Sequence, residues 1–311
     1  MERLDGGSAI PPRLAGGIVA LGNFDGFHLG HQAVVGRAVA RARAEGRPAL
    51  VATFDPHPVR LFRPDAPPFR LTTLDQRQAL FAAAGVDAMA VFRFDAALAA
   101  LSAEAFVAQR LAGCLAVGGV VTGEDFTFGR AKGGDTAALA ALGAVHGFAA
   151  ETVAPVALDG APVSSSRIRD ALRRGDTAEA TRLLTRPFTI RGTVRHGDKV
   201  GRTIGYPTAN IELGRYLRPA YGIYAVTGRL PDGRVLKGAA NLGIRPSFDP
   251  PREWLEPYFF DFDGDLYGQE IDVALVAYLR PEAKFDSLAA LTAQMEADCE
   301  RARAALSDTD R

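Results

Sequence analysis

His28 and His31 stand three residues apart at the close of the motif GNFDGFHLGH, residues 22–31. Apolar residues 18–21 precede it and a helical apolar pattern follows it. The spacing therefore predicts a strand, a tight turn through Gly22, Phe24, Asp25 and Gly26, and then a helix start. A helix start offers free N–H groups. Beside two imidazoles, these can hold a triphosphate while charge moves onto its bridging oxygen. Gly30 lets the backbone come close to such a ligand. Two other readings compete: histidines that cap the helix or face solvent, and a metal pair. The metal reading lacks a nearby third ligand and the glutamate of the metalloprotease spacing.

Three further stretches of the first half bear on that chemistry. TFDPHP (53–58) ends a second apolar run that includes Phe54. His57, between Pro56 and Pro58, either faces a ligand or sits where the prolines simply stop the strand. The stretch from Gly123 to Gly134 is glycine-rich but is no Walker loop, since no Gly-Lys-Ser/Thr follows. Its Phe126 and Phe128 either wall in a flat ring or anchor an ordinary surface loop. In VSSSRIR (163–169), Ser164, Ser165 and Ser166 are ordinary helix-capping types. Arg169 at the same end can pair with a phosphate, and beside the histidine motif phosphate binding is the better account.

The second half has its own set. HGDKVGRTIGYPTAN (196–210) carries Gly197, Gly201 and Gly205 with Lys199 and Pro207, a composition suited to backbone contact with phosphates. Thr208 and Asn210 close it with oxygens of the kind Mg2+ accepts beside a nucleotide. Glu256, in WLEPY (254–258), alternates with apolar neighbours. It is either a solvent-facing strand residue or a base aimed into a site, and spacing alone favours solvent. DFDGD (261–265) briefly resembles a calcium loop, but Leu266 stands where glycine is required. Asp263 and Gly264, like Asp232 and Gly233, instead read as a hairpin turn.

Periodicity gives the elements that must carry these residues. Strands at 17–23, 48–54, 87–94, 117–122 and 149–156 alternate with helices at 31–44, 73–85, 102–112, 135–147 and from Ser165 to Arg173. That alternation predicts βαβ units on a mostly parallel sheet. Val34, Val35, Ala38, Val39 and Ala42 form the buried stripe of the first helix. Near Arg186 and Pro187 the period becomes two, at 188–194, 223–226 and 271–275, which predicts a small antiparallel barrel. A last helix carries the stripe Leu288, Leu291, Met295, Cys299 and Ala302. The expected fold is an α/β domain of residues 1–186 with a Rossmann-like parallel sheet, then an antiparallel β-barrel with a terminal helix over residues 187–311.

Composition narrows the field. The 311 residues carry 36 basic and 36 acidic side chains, so no general attraction to nucleic acid is expected. Cys114 and Cys299 stand in no metal or redox spacing and read as small core residues. No apolar run approaches a membrane span and no cleavable leader opens the chain. A cytoplasmic protein without a membrane partner is expected, as a monomer or a weak homo-oligomer.

In this order, GNFDGFHLGH, TFDPHP, GEDFTFG, VSSSRIR, HGDKVGRTIGYPTAN, NLGIRPSF (241–248), LEPYFFDFDGDLYG (255–268) and KFDSL (284–288) span nearly the whole chain. From about residue 15 to 305 it resembles the bacterial bifunctional riboflavin kinase/FMN adenylyltransferases, or FAD synthetases. The resemblance implies two reactions. The barrel phosphorylates the 5′-hydroxyl of riboflavin with ATP. The first domain transfers AMP from a second ATP to FMN, giving FAD and pyrophosphate, so that FMN and FAD are substrate and product. It further implies that Glu256 is the kinase base, that Thr208 and Asn210 hold Mg2+, and that Gly197, Lys199, Gly201, Gly205, Pro207 and Arg245 surround ATP and flavin. In the first domain it gives His28 and His31 the catalytic part. With them, Gly22, Phe24, Asp25, Gly26, Ser164, Ser165, Ser166 and Arg169 go to ATP, and Phe54, His57, Pro58, Asp125, Phe126 and Phe128 to the flavin. Where the family usually has a small apolar residue and then His after the base, this chain has Pro257 and Tyr258; Ser247 stands where Thr is common. Proline cannot donate to a ladder, so its strand is expected at an edge or bulged. A misplaced Glu256 would leave the adenylyltransferase alone active; a flavin-binding module without catalysis is the remaining alternative.

Overall fold

The computed structural model describes residues 1–196, 206–245 and 252–307. It divides into two compact units, Met1–Pro67 with Thr73–Ser164, and Pro68–Thr72 with Ser165–Arg311.

In chain order the first unit holds β1 (Glu2–Asp5), β2 (Ile18–Leu21), α1 (Leu29–Glu45), β3 (Ala49–Asp55), α2 (Val59–Phe62), α3 (Leu74–Ala83), β4 (Ala88–Arg93), α4 (Ala96–Ala99), α5 (Ala103–Phe106), β5 (Gly119–Gly123), α6 (Thr136–Val145), β6 (Ala149–Val153), β7 (Ala157–Leu158) and β8 (Ala161–Pro162). The first six strands make one parallel sheet in the order β1-β4-β3-β2-β5-β6. Along β2 the side chains alternate between two cores. Val19 and Leu21 join Leu50, Phe54 and Phe92 on one face; Ile18 and Ala20 join Val35, Ala38 and Phe81 on the other. Burial on both faces is the rule for parallel sheets and is why these strands read as unbroken apolar runs. The expected stripe of α1 is the buried one, and the helix stops at Gly46, φ +62°.

Three local features differ from expectation. β1 is polar and largely exposed, so no pattern marks it; it joins only as an edge beside β4. The helix expected over 102–112 is α5 followed by a π-helical stretch, Val107–Cys114. Gly113 suits that wider turn, since a Cβ there would stand 3.0 Å from the Ala108 carbonyl oxygen five residues back. The strand expected to reach 156 ends at Val153. β7 and β8 then form a hairpin through Asp159 and Gly160, at φ +54° and +74°.

The second unit holds α7 (Ser165–Arg173), α8 (Thr177–Leu184), β9 (Phe188–Thr193), β10 (Ile211–Glu212), β11 (Gly222–Arg229), β12 (Val235–Arg245), β13 (Arg252–Phe259), β14 (Glu270–Arg280) and α9 (Leu288–Ser307). Its antiparallel sheet runs β10-β13-β12-β11-β14-β9. The two ends meet at the Arg195–Asn210 bridge, where the Arg195 N–H donates to the Asn210 carbonyl at 2.8 Å. That contact closes the sheet into the expected barrel. Asp232 and Gly233 make the expected hairpin between β11 and β12. Asp263 and Gly264 do not: β13 and β14 are separated by β12 and β11, so residues 260–269 are a crossover. A two-residue turn signal is local and does not say which strands will pair. The stripe of α9 is also shifted. Leu288 is exposed, whereas Asp298 is buried and held by Arg280 at 2.6–3.1 Å, beside Ala302 and Leu306.

On α3, the fully buried Phe81 meets Phe24 and Phe27 edge-on, with ring centroids 5.8 and 5.0 Å apart. Both partners sit at positive φ, +50° and +46°, which packing must hold against a cost of about 1–3 kcal/mol each. Phe81→Ala is expected to destabilise the first unit by about 3–5 kcal/mol. Denaturant unfolding followed separately for the two units should show only the first transition moving; equal movement of both would remove this account of the turn.

Candidate active site

A wound parallel sheet takes ligands beyond the carboxyl ends of its strands, where the winding reverses. Here the chain winds from β2 through β3 to β4, then restarts on the other side of β2 with β5 and β6. Residues 22–28 leave β2 at that point and residues 124–134 leave β5. Two of the motifs thus rise from the same ends of adjacent strands.

Helix α1 begins at Leu29, two residues earlier than expected, with His28 as its N-cap; His28 Nδ1 accepts from the His31 N–H at 3.3 Å. With Nδ1 an acceptor, a neutral His28 carries its proton on Nε2, as a donor. The two imidazoles stack at 3.6 Å between centroids, and the Phe24 ring meets His31 edge-on at 5.3 Å. Capping and ligand binding therefore do not exclude each other, because the cap uses one nitrogen only. Gly30 serves the imidazole itself: a Cβ there would stand 3.2 Å from His28 Cε1 and 3.6 Å from the Val163 carbonyl oxygen. Gly22 likewise lies under the Phe24 ring, and Gly26 turns at φ +90°. Asp25 is buried with them. Among the described residues no group of three or more His, Cys, Asp or Glu is placed to hold a metal.

No motif pointed to Arg77. It lies one turn before Phe81 on α3 and is 4% exposed. Its Nη1 donates to the Asn23 carbonyl at 2.9 Å and to Thr53 Oγ1 at 3.0 Å, and Nη2 lies 3.9 Å from Asp55. It ties the turn after β2 to the end of β3. An arginine at an inward helix position was the one available signal.

The other residues of the first unit fall in two groups. Phe54 and Phe128 are core residues, 6.4 and 5.7 Å from the Phe106 ring. Phe126 lies half-buried and parallel to Phe128 at 5.8 Å, and Asp125 is exposed. His57 is half-buried; its Nδ1 accepts from the Val59 N–H at 3.2 Å, and Pro58 starts α2. Ser164 directly follows Val163. In the second unit, α7 opens with Ser165, half-buried, and Ser166, exposed. Arg169 donates from Nε to the Phe69 carbonyl at 2.8 Å and lies 5.3 Å from that ring's centroid.

In the barrel, Glu256 is 7% exposed, not solvent-facing. β13 is covered on both faces, with Trp254 and Glu256 as well as Leu255 and Phe259 buried, so alternation could not locate solvent. Glu256 stands directly opposite Asn241 of β12, whose Nδ2 donates to Glu256 Oε2 at 3.4 Å. On the other side Ile211 pairs with Leu255, and the Ala209 N–H donates to the Pro257 carbonyl at 2.9 Å. That register sets the buried Asn210 beside Glu256, with Thr208 two residues on along the same face. Three polar residues, Asn210 just before β10, Glu256 of β13 and Asn241 of β12, thus lie in one lateral row. Glu253 points to the opposite face. The Arg218 guanidinium at 2.6–2.8 Å holds its carboxyl below the usual range. Burial, with the bond to Glu253, pushes the Tyr221 hydroxyl up to about 12. Glu253 is thus committed to an ion pair.

Pro257 causes neither outcome expected of it. The ladder to β12 runs from Arg252 to Phe259 without a register shift, and β10 lies outside β13. The nitrogen and carbonyl of a strand residue face the same side. The missing donor therefore points past the end of the short β10, toward Ala209, and β12 loses nothing. Tyr258 packs edge-on against Tyr206 at 5.1 Å, and His196 lies 3.8 Å from the Tyr267 ring. Pro207 is exposed. Arg245 is the last residue of β12. Gly197, Lys199, Gly201, Gly205 and Ser247 lie outside the described residues.

Family models match both halves: FAD synthetase over residues 10–167 and riboflavin kinase over residues 184–306. The bifunctional riboflavin kinase/FMN adenylyltransferase of Escherichia coli (strain K12) is 39% identical over 283 residues, 91% of this chain and 90% of that protein. The chain belongs to the bifunctional riboflavin kinase/FMN adenylyltransferase family. The Pseudomonas fluorescens member is 40% identical over 305 residues, 98% of this chain and 97% of its own. A crystal structure described as a macrolide-efflux protein from Streptococcus pneumoniae shares the fold at TM-score 0.86 and 32% identity, over 97% of this chain and 99% of that one. The efflux name is that protein's; among the described residues here no helix is long and apolar enough to cross a membrane.

Within this family member, Arg77→Met should remove the guanidinium donor from Thr53 Oγ1 and leave the Asn23 carbonyl only the Thr53 hydroxyl, which donates to it at 2.9 Å, at about 1–3 kcal/mol. Hydrogen exchange of the amides from Asn23 to His31 is expected to speed up while the barrel amides stay protected. Unchanged exchange in that turn would show that Arg77 does not hold it.

Proposed function

We propose that the chain makes FAD from riboflavin in two ATP-dependent steps, with the kinase in residues 187–311 and the adenylyltransferase in residues 1–186. One observation carries the reading: both family models match, in order, and between them cover most of the chain. Glu256 is the kinase base. It takes the proton of the riboflavin 5′-hydroxyl as that oxygen attacks the γ-phosphorus of ATP, FMN forms and ADP leaves. Its burial in a row of amides, away from Arg218, supports this role.

Thr208 and Asn210 offer uncharged oxygens on the face that carries Glu256, a donor set that suits Mg2+ shared with ATP phosphates. The bound ion would neutralise phosphate charge. Gly197, Lys199, Gly201, Gly205, Pro207 and Arg245 are assigned to ATP and flavin on the family match.

In the second step a phosphate oxygen of FMN attacks the α-phosphorus of another ATP and pyrophosphate leaves. No protein nucleophile is needed; positioning and charge neutralisation suffice. His28 donates from Nε2 to the phosphates, with His31 stacked on it. Gly22, Phe24, Asp25 and Gly26 shape the turn around ATP. The FAD synthetase match reaches residue 167, which supports giving Ser164, Ser165 and Ser166, with Arg169 after them, to the same nucleotide. Phe54, His57, Pro58, Asp125, Phe126 and Phe128 are assigned to the flavin side, Phe54 and Phe128 as supports from the core. With ATP the donor in both steps, the chain works in the cytoplasm, and as a monomer or a weak homo-oligomer.

Purified chain given riboflavin, ATP and Mg2+ should accumulate FAD, resolved by chromatography. Glu256→Ala should lower FMN formation by roughly 10²–10⁴-fold and spare conversion of supplied FMN to FAD. His28→Ala should do the reverse. Equal loss of both activities in either variant would sink the division of labour.

A further inference from the structure

Asn241 belongs to no assignment made so far. It sits on β12 between Glu256 of β13 and Ile223 of β11, its direct cross-strand partners. A carboxylate only accepts hydrogen bonds, so the amide must turn its NH2 to Glu256. The 3.4 Å Nδ2–Oε2 contact has that sense. The amide oxygen is thereby fixed on the other side, where Oδ1 is buried and has no hydrogen-bond partner. A buried acceptor left so is costly, and in a native protein such an atom needs an explanation. Neither cross-strand neighbour can supply a donor: Ile223 is apolar and Glu256 accepts only.

The chemistry of the missing partner follows. Glu256 and Asn241 Oδ1 together present acceptors, so an anion such as a phosphate oxygen is disfavoured and a donor is wanted. Directly opposed residues on one sheet face stand about 4.5–5.5 Å apart at Cβ. Acceptors carried by two side chains whose Cβ atoms are that close suit hydroxyls on neighbouring carbons. We propose that Asn241 is a substrate-specificity residue of the kinase: its Oδ1 accepts a hydrogen bond from the ribityl 4′-hydroxyl, next to the 5′-hydroxyl that Glu256 deprotonates. The proposal rests on the assignment of Glu256 as the kinase base. It makes the barrel a reader of polyol ends, in which the amide checks one hydroxyl while the carboxylate works on the next.

The test is a cycle of variant against substrate, using riboflavin and 4′-deoxyriboflavin as phosphoryl acceptors. Wild-type chain should lose roughly 5–150-fold in kcat/KM on the deoxy compound, which strands the Asn241 oxygen. Asn241→Ala should lose a similar factor on riboflavin, and little more on changing to the deoxy compound. Asn241→Leu, close in volume, carries the same expectation should the alanine variant loosen the barrel. Conversion of supplied FMN to FAD by the same preparations should stay at the wild-type rate. Strictly multiplicative losses, or no loss in either variant, would overturn the proposal. Glu256→Ala run alongside separates the two levels: if it keeps kinase activity, the base assignment itself fails, whereas if it is inactive and the Asn241 cycle is multiplicative, only the role of Asn241 falls.

Discussion

A polar group left unpaired inside a sheet that is covered on both faces is costly, and that cost bears on both halves of this molecule. In the parallel sheet, Thr53 and the Asn23 carbonyl are met by Arg77, brought in from α3. In the barrel, Glu256 is met by Asn241. The apolar surroundings that stabilise each fold by excluding water also raise the strength of every remaining electrostatic contact. The positions proposed for phosphoryl and adenylyl chemistry are among the few places where each core admits polarity. In the first half those positions gather at the reversal of winding between β2 and β5; in the second they form one row from Asn210, just before β10, across β13 and β12.

Support and chemistry come from different elements. The motif that leaves β2 supplies the histidines, but its backbone passes through positive φ at Phe24, Gly26 and Phe27. Such a path persists only where packing over-determines it. Phe81 and Arg77, one turn apart on α3, supply that packing and a hydrogen-bond anchor. In the barrel the comparable support is the pairing of Arg280 with Asp298, which fastens α9 to the sheet.

Much of this was legible in the sequence, for reasons that can be named. Parallel strands buried on both faces leave unbroken apolar runs, and α1 leaves a helical stripe, so βαβ order and register of that helix could be read directly. The histidine motif and serine run are legible as local signals because tight turns and helix starts depend on local residue types. Pairing between distant strands does not. Asp159 with Gly160 and Asp232 with Gly233 make hairpins, while Asp263 with Gly264 sits in a crossover, although the dipeptide is the same. Spacing misplaced Glu256 in solvent for a related reason: its alternation is real, but both faces of β13 are covered. Arg77 and Asn241 were missed because each matters through a partner far away in the chain.

The bridge between Arg195 and Asn210 joins the barrel's two end strands and also marks where the chain departs and returns around residues 196–209. In polymer terms, the closure entropy of that segment is charged to a contact the barrel makes anyway. Doubling the length of a flexible segment between fixed ends adds only about 0.6 kcal/mol. The stretch between the two bridge residues can therefore vary in length and composition through evolution with little effect on the stability of the barrel.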